Sequence, residues 1–265
     1  MKTASRIATA GALCAIILGA SAPAMADAYE DIMAAGKIRV STDLAIPPSG
    51  MLDANLQPTG SDVETARLLA EDWGLELEFV QTTGATRIPN LQTNRADIVI
   101  STLSVTPERA QVIDFSEPYA ALRSVIGAPA ASEISDWEDL RGQTVTVTRG
   151  TTQDTELTAM AAERGFNIAR YDDDATMVTA AVSGQAQMVA TSETIVNQIG
   201  ERNTERAFEP KFVIRTFDIA MGVRKNEPEL LAKLNEWVAA NLANGKLNEI
   251  YQKYHGAPLP EEMLQ

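Results

Sequence analysis

Short apolar runs alternate with longer segments of helical periodicity along most of the chain, and this alternation is what most restricts its fold. Strands are expected at residues 37–41, 76–80 and 97–100, with helices at 61–73 and 89–94 between them. The first of these helices opens on Ser61-x-x-Glu64, a capping-box spacing, and stops at Gly74. After Ala120 the pattern starts again, with strands at 124–128, 144–148, 167–171 and 188–190 and helices at 152–164 and 175–182. A last strand at 220–224 leads into helices at 228–243 and 246–254. Strand–helix alternation implies an α/β fold of open sheets covered by helices. The restart implies two lobes, and the lack of a low-complexity linker implies short crossings between them.

The first residues follow a different rule. Lys2 and Arg6 precede an apolar run at 8–20 that is too short to span a bilayer, and Ala24-Met25-Ala26 is a small-x-small site. Residues 1–26 are therefore expected to be a secretory signal peptide, cut before Asp27. Cys14, the only cysteine, falls inside it, so residues 27–265 must hold together by their core without disulfides. The formal charge of −14 argues against nucleic acid and anionic membrane surfaces as partners. No second apolar stretch approaches membrane-spanning length, so a soluble exported protein is expected.

The chemistry-bearing residues point to anion binding more than to catalysis. His255 is the only histidine, which leaves no Ser–His or Cys–His pair and no histidine-containing metal cluster. Asp172, Asp173 and Asp174 stand before the helix at 175–182 and read as complements to its N-terminal charge, in preference to a metal site. Thr106 and Pro107 form an N-cap and first helical position, which puts Arg109 at the third. A cation there is misplaced by about 0.3–1 kcal/mol. Either Arg109 swings into solvent, or an anion binds both the guanidinium and the helix start. The run VTRGTTQDTEL (147–157) has similar logic: a strand ends, Gly150 permits close approach, and Thr151 and Thr152 begin a helix. Alone, it reads as an ordinary strand-to-helix turn. Together with Arg109 it gives each lobe a hydroxyl-rich helix start at the carboxyl end of a strand, where open α/β sheets bind ligands.

Several ordered blocks then carry a resemblance. GKIRVSTDLAIPPSG, PTGSDVETARLLAEDWGLELEFV, RIPNLQTNRADIVISTLSVTPERAQVIDFSEPY, VTRGTTQDT and GVRKNEPELLAKLNEWV…GKLNEIYQKYHG resemble, in order and spacing, the periplasmic substrate-binding component of bacterial polar amino acid ABC importers. The resemblance implies a type II periplasmic-binding-protein fold, with lobe 1 at 27–120 and 219–265, lobe 2 at 121–218, and hinge crossings near 120–123 and 217–220. It implies a monomeric, non-enzymatic periplasmic protein without cofactor or metal, which captures an amino acid by cleft closure and delivers it to a membrane permease. The family's carboxylate cradle falls on Thr102, Ser104 and Arg109 of lobe 1 and Thr152 of lobe 2. Asp43 is kept at a position that contacts ligand amines in relatives. The aspartate that takes an α-ammonium aligns with Ser192, beside Glu193. Residues that are aromatic in relatives are Ile46, Ser49 and Gly84 here. Arg87 matches the arginine of the glutamate/aspartate-binding branch; it either serves a side-chain carboxylate or pairs with Asp43. On that basis glutamate, aspartate or their amides are expected ahead of lysine or arginine. The competing expectation is a lyase on the same fold, resembling cyclohexadienyl dehydratases, with Glu193 or Asp43 as acid or base.

Overall fold

The computed structural model describes residues 27–264; the expected signal peptide lies outside them. In chain order the elements are α1 (Ala28–Ala35), β1 (Lys37–Thr42), β2 (Met51–Leu52), β3 (Pro58–Thr59), α2 (Ser61–Trp73), β4 (Glu76–Gln81), α3 (Arg87–Gln92), β5 (Ile98–Val99), α4 (Pro107–Ala110) and β6 (Asp114–Pro129). They continue as β7 (Thr144–Thr148), α5 (Thr152–Arg164), β8 (Asn167–Tyr171), α6 (Asp174–Ser183), β9 (Val189–Ser192), α7 (Glu193–Arg202), β10 (Phe208–Val223), α8 (Pro228–Ala243) and α9 (Lys246–His255). No described helix is long and apolar enough to cross a membrane.

Eight strands form one mixed sheet in the order β4-β1-β5-β10-β6-β9-β7-β8. The parallel groups β4-β1-β5 and β9-β7-β8 lie at its two ends. Between them run β6 and β10, 16 residues each and antiparallel along nearly their whole length. Each parallel group has its own core. Ile38, Val40, Leu69, Ile98, Met221, Leu234 and Trp237 belong to the first. On the other side, Met177, Val189, Val196 and Ile199 form one cluster and Val145, Val147, Leu157 and Phe166 another. The molecule is thus a two-lobed α/β protein in which one antiparallel ladder joins the lobes. The expected crossing points are cross-strand neighbours in that ladder, with Ala120 opposite Ile219 and Ala121 opposite Asp218.

Two expectations need correction. The strands read at 124–128 and 220–224 are only the apolar ends of β6 and β10. The middle of each strand, with Arg123, Arg215, Thr216 and Asp218 exposed and Phe217 and Ile219 buried between them, has only a short apolar alternation and is held chiefly by ladder hydrogen bonds. The capping box of α2 does not form: Gly60 is the N-cap and makes no side-chain bond. Ser61 instead hydrogen-bonds His255 Nε2 at 3.0 Å, and Glu64 accepts from Lys253 and Tyr254, so both side chains dock α9 onto α2. The stop at Gly74 does form, at φ 67°. Helix α7 was legible in the spacing of its buried Ile195, Val196 and Ile199, but was not anticipated.

Candidate functional site

A cavity of about 540 Å³ lies between the lobes, beside the middle of the β6–β10 ladder. Arg87, Thr102, Ser104 and Arg109 reach it from the first lobe, and Thr152, Asp174, Ser192 and Glu193 from the second. Seven of the eight sequence-derived candidates therefore line one space. Asp43 does not; it sits behind Arg87 at the end of β1.

Arg109 is built as the local sequence dictates. Thr106 caps α4 by accepting from the Arg109 N–H at 3.3 Å, and Pro107 occupies the first position. The guanidinium does not swing into solvent. Nη1 donates to the Ser104 carbonyl at 3.0 Å, and Nη2 reaches across the cleft to the Gly150 carbonyl at 3.3 Å. Burial, reinforced by the nearby Arg87 charge, lowers its pKa to about 10, so it stays cationic at neutral pH. Because α4 is one turn long, its end charge is only part of that of a full helix, and two carbonyl acceptors offset the conflict inferred from the sequence.

Arg87 opens α3 and is 5% exposed. Its Nε donates to Ser101 Oγ at 3.2 Å, and its Nη2 lies 3.7 Å from Asp43 Oδ2. Asp43 is 1% exposed; Oδ1 accepts from the Ala45 N–H, while Oδ2 is buried without a hydrogen bond. Burial raises the Asp43 pKa against the pull of Arg87. Arg87 thus stands beside Asp43 while it also lines the cavity.

Other candidates are held by the fold as well as facing the cavity. Thr102, at φ 46°, is in a region that costs a β-branched residue roughly 1–3 kcal/mol. Its hydroxyl donates to Asp62 Oδ2 at 2.7 Å, and Tyr119 donates to Asp62 Oδ1 at 2.7 Å. Asp62 was missed in the sequence, where it looks like an ordinary acidic first-turn residue. It is buried, and burial raises its pKa despite both donors. Thr151, not Thr152, caps α5 by accepting from Asp154 N–H; the Thr152 hydroxyl donates to Gln153 Oε1 at 3.3 Å. Ser192 caps α7, and Glu193 pairs with Arg123 at 2.9 Å.

Asp174 was also missed as a site residue. Of the three consecutive aspartates, Asp172 and Asp173 precede α6 and Asp174 is its first residue; Asp173 caps it, accepting from Thr176 N–H at 2.7 Å. Asp174 turns inward, is 4% exposed, and accepts from the Thr148 hydroxyl at 2.8 Å through Oδ1. Burial is the largest cause that pushes its pKa up to about 6; Asp43 and Asp173 add to the shift, while Thr148 and Arg87 oppose it.

Gly84 has a structural reason for lacking a side chain. A Cβ there would stand 2.9 Å from the Arg149 carbonyl oxygen, and a Cβ on Gly150, at φ 76°, would stand 2.8 Å from Ala85 Cα. The loops after β4 and β7 thus meet backbone to backbone across the cleft. Among the described residues, no group of three or more His, Cys, Asp or Glu is placed to hold a metal ion.

With this architecture and site, the chain belongs to the bacterial extracellular solute-binding proteins, family 3, whose model matches residues 38–257. It is 26% identical over 226 residues to the L-arginine-binding protein of Pseudomonas aeruginosa, covering 82% of this chain and 87% of that one. It is 27% identical over 252 residues to the ABC transporter glutamine-binding protein GlnH of Bacillus subtilis, covering 89% of each. Among solved structures, the ancestral amino acid-binding protein AncCDT-1, described as a precursor of cyclohexadienyl dehydratase, superposes with a TM-score of 0.78 at 31% identity, over 86% of this chain and 99% of that one.

Proposed function

We propose that this protein captures a polar amino acid in the cleft between its lobes, in the periplasm, and delivers it to an ABC permease. The observation that carries this reading is Arg109, a half-buried cation that lines the cavity and bonds to carbonyls on both sides of it. Two of its five N–H donors are engaged with those carbonyls, which leaves donors for a ligand carboxylate. Thr152 and the start of α5 face Arg109 from the second lobe and add a hydroxyl and free backbone N–H groups. The relatives that are named for arginine and glutamine support an amino acid as the ligand. In this reading lobe 1 comprises residues 27–120 and 219–264, lobe 2 comprises 121–218, and closure bends the ladder where Ala120–Ala121 face Asp218–Ile219.

Calorimetry against a panel of amino acids, with wild type and Arg109→Ala, tests the reading. Removal of a buried charged partner costs about 2–5 kcal/mol, so the variant should lose most of its affinity. Unchanged affinity in a folded variant would show that the carboxylate is held elsewhere. The dehydratase reading finds little support in the geometry, because Glu193 is paired with Arg123 and Asp43 lies behind Arg87. Incubation with prephenate-like acids should yield no product.

A further inference from the structure

The charges around the cavity do not balance. Arg87, Arg109 and Arg123 line it as cations, and Asp62, Asp174, Glu193 and Glu262 as carboxylates, with Asp43 buried behind Arg87. Glu193 and Arg123 cancel within their own pair. This leaves carboxylates in excess. An amino acid zwitterion does not change that balance, an acidic amino acid adds to the excess, and an amino acid with a cationic side chain reduces it. In a low-dielectric space, such differences in uncompensated charge decide which ligand binds.

The buried carboxylates Asp43, Asp62 and Asp174 are not equally available. Asp62 accepts from Thr102 through one oxygen and from Tyr119 through the other. Asp43 lies against Arg87, outside the cavity lining. Asp174 lines the cavity, and only its Oδ1 accepts a protein hydrogen bond, from Thr148. A buried carboxylate needs a donor for each oxygen. Asp174 Oδ2, unlike Asp43 Oδ2, is open to the cavity, so it is free to accept from whatever fills that space. Arg109 reaches the same cavity from the opposite lobe, so one molecule with a carboxylate at Arg109 and a cation at Asp174 would be held by both lobes at once.

Resting on the amino-acid reading above, we infer that Asp174 is a specificity-determining residue that accepts a hydrogen bond from the cationic side chain of the ligand, and that the cleft selects amino acids with an ammonium or guanidinium side chain over neutral and acidic ones. The experiment is calorimetry with L-arginine, L-lysine, L-glutamine and L-glutamate on wild type and on Asp174→Asn, which keeps the shape and an acceptor for Thr148. The expected wild-type ranking is arginine or lysine first, glutamine next and glutamate last. Asp174→Asn should weaken the basic ligands by about tenfold or more and glutamine much less, and should improve glutamate. If the variant does not fold, the wild-type ranking alone decides. Glutamate binding at least as tightly as arginine overturns the inference, and so does an equal loss of arginine and glutamine in the variant, which would put the α-ammonium at Asp174. Binding of none of the four would overturn the amino-acid reading itself, and this inference with it.

Discussion

Asp174 has a single donor, and its ionisation should be visible in two measurements of opposite sign. A cation binds only the ionised form, so the affinity of a basic ligand should fall as pH drops through about 6, with protons released on binding near that pH. The groups that set this titration are Thr148 on β7, Arg87 on α3, Asp43 at the end of β1 and Asp173 beside it. The empty protein behaves in the reverse sense. A carboxyl whose pKa is about 6 folded and about 3.9 unfolded stabilises the fold fully below the lower value and loses that contribution as pH rises through the higher one. Asp174→Asn should therefore raise the melting temperature of the empty protein at pH 8, by an effect on the order of 1–3 kcal/mol, and leave it nearly unchanged at pH 4. A variant that melts lower than wild type at pH 8 would show that the ionised carboxylate is not a burden on the fold. At this scale the sequence was legible where the governing interaction is local. Thr106-Pro107 sets Arg109 regardless of the rest of the chain. Asp62 and Asp174 were not legible, because nothing within a few residues of either indicates that Tyr119 or Thr148 will arrive from another element to receive it.

Among the elements, those with local boundary signals stand where the sequence puts them. Helices α2, α5 and α8 and strands β7 and β8 have the expected limits, because glycines stop α2 and α5, threonine caps α5, and Pro228 opens α8. Of β6 and β10 only the apolar ends were read, since pairing between residues nearly a hundred positions apart leaves little periodic trace beyond the short alternation at 216–219. The contact between the β4 and β7 loops gives a prediction at this scale. Gly84→Ala places a methyl group against the Arg149 carbonyl, in a contact of 2.9 Å that backbone must yield to relieve. Since the two loops belong to different lobes, the substitution should leave circular dichroism and thermal stability close to wild type while it weakens ligand binding severalfold, about 1 kcal/mol. Undiminished affinity would mean that the loops do not touch when ligand is bound.

For the whole molecule, the joining of two separate cores by one antiparallel ribbon favours bending at the ribbon over rearrangement within either lobe. Residues on the two strands face each other at the proposed hinge, so the lobes can rotate together or apart while the ladder keeps its register. Small-angle scattering should accordingly show a smaller radius of gyration with saturating ligand than without. Identical profiles would count against closure. The two-lobe division was legible in the restart of the strand pattern after Ala120. The single sheet that continues through both lobes was not, because only the paired ribbons reveal it.

The path of the chain through the first lobe has a consequence for how the molecule is made. Its core joins Ile32, Ile38 and Val40, near one end of the chain, to Leu230, Leu234, Trp237 and Leu247, near the other. Strand β10 must also slot between β5 and β6 before that half of the sheet is complete. The second lobe closes its clusters with residues 125–214 alone. A nascent chain can therefore finish its middle while its beginning still lacks partners. The apolar residues of α1 and β1 wait for α8 and α9 to emerge, and the lobe that is begun first is completed after its partner.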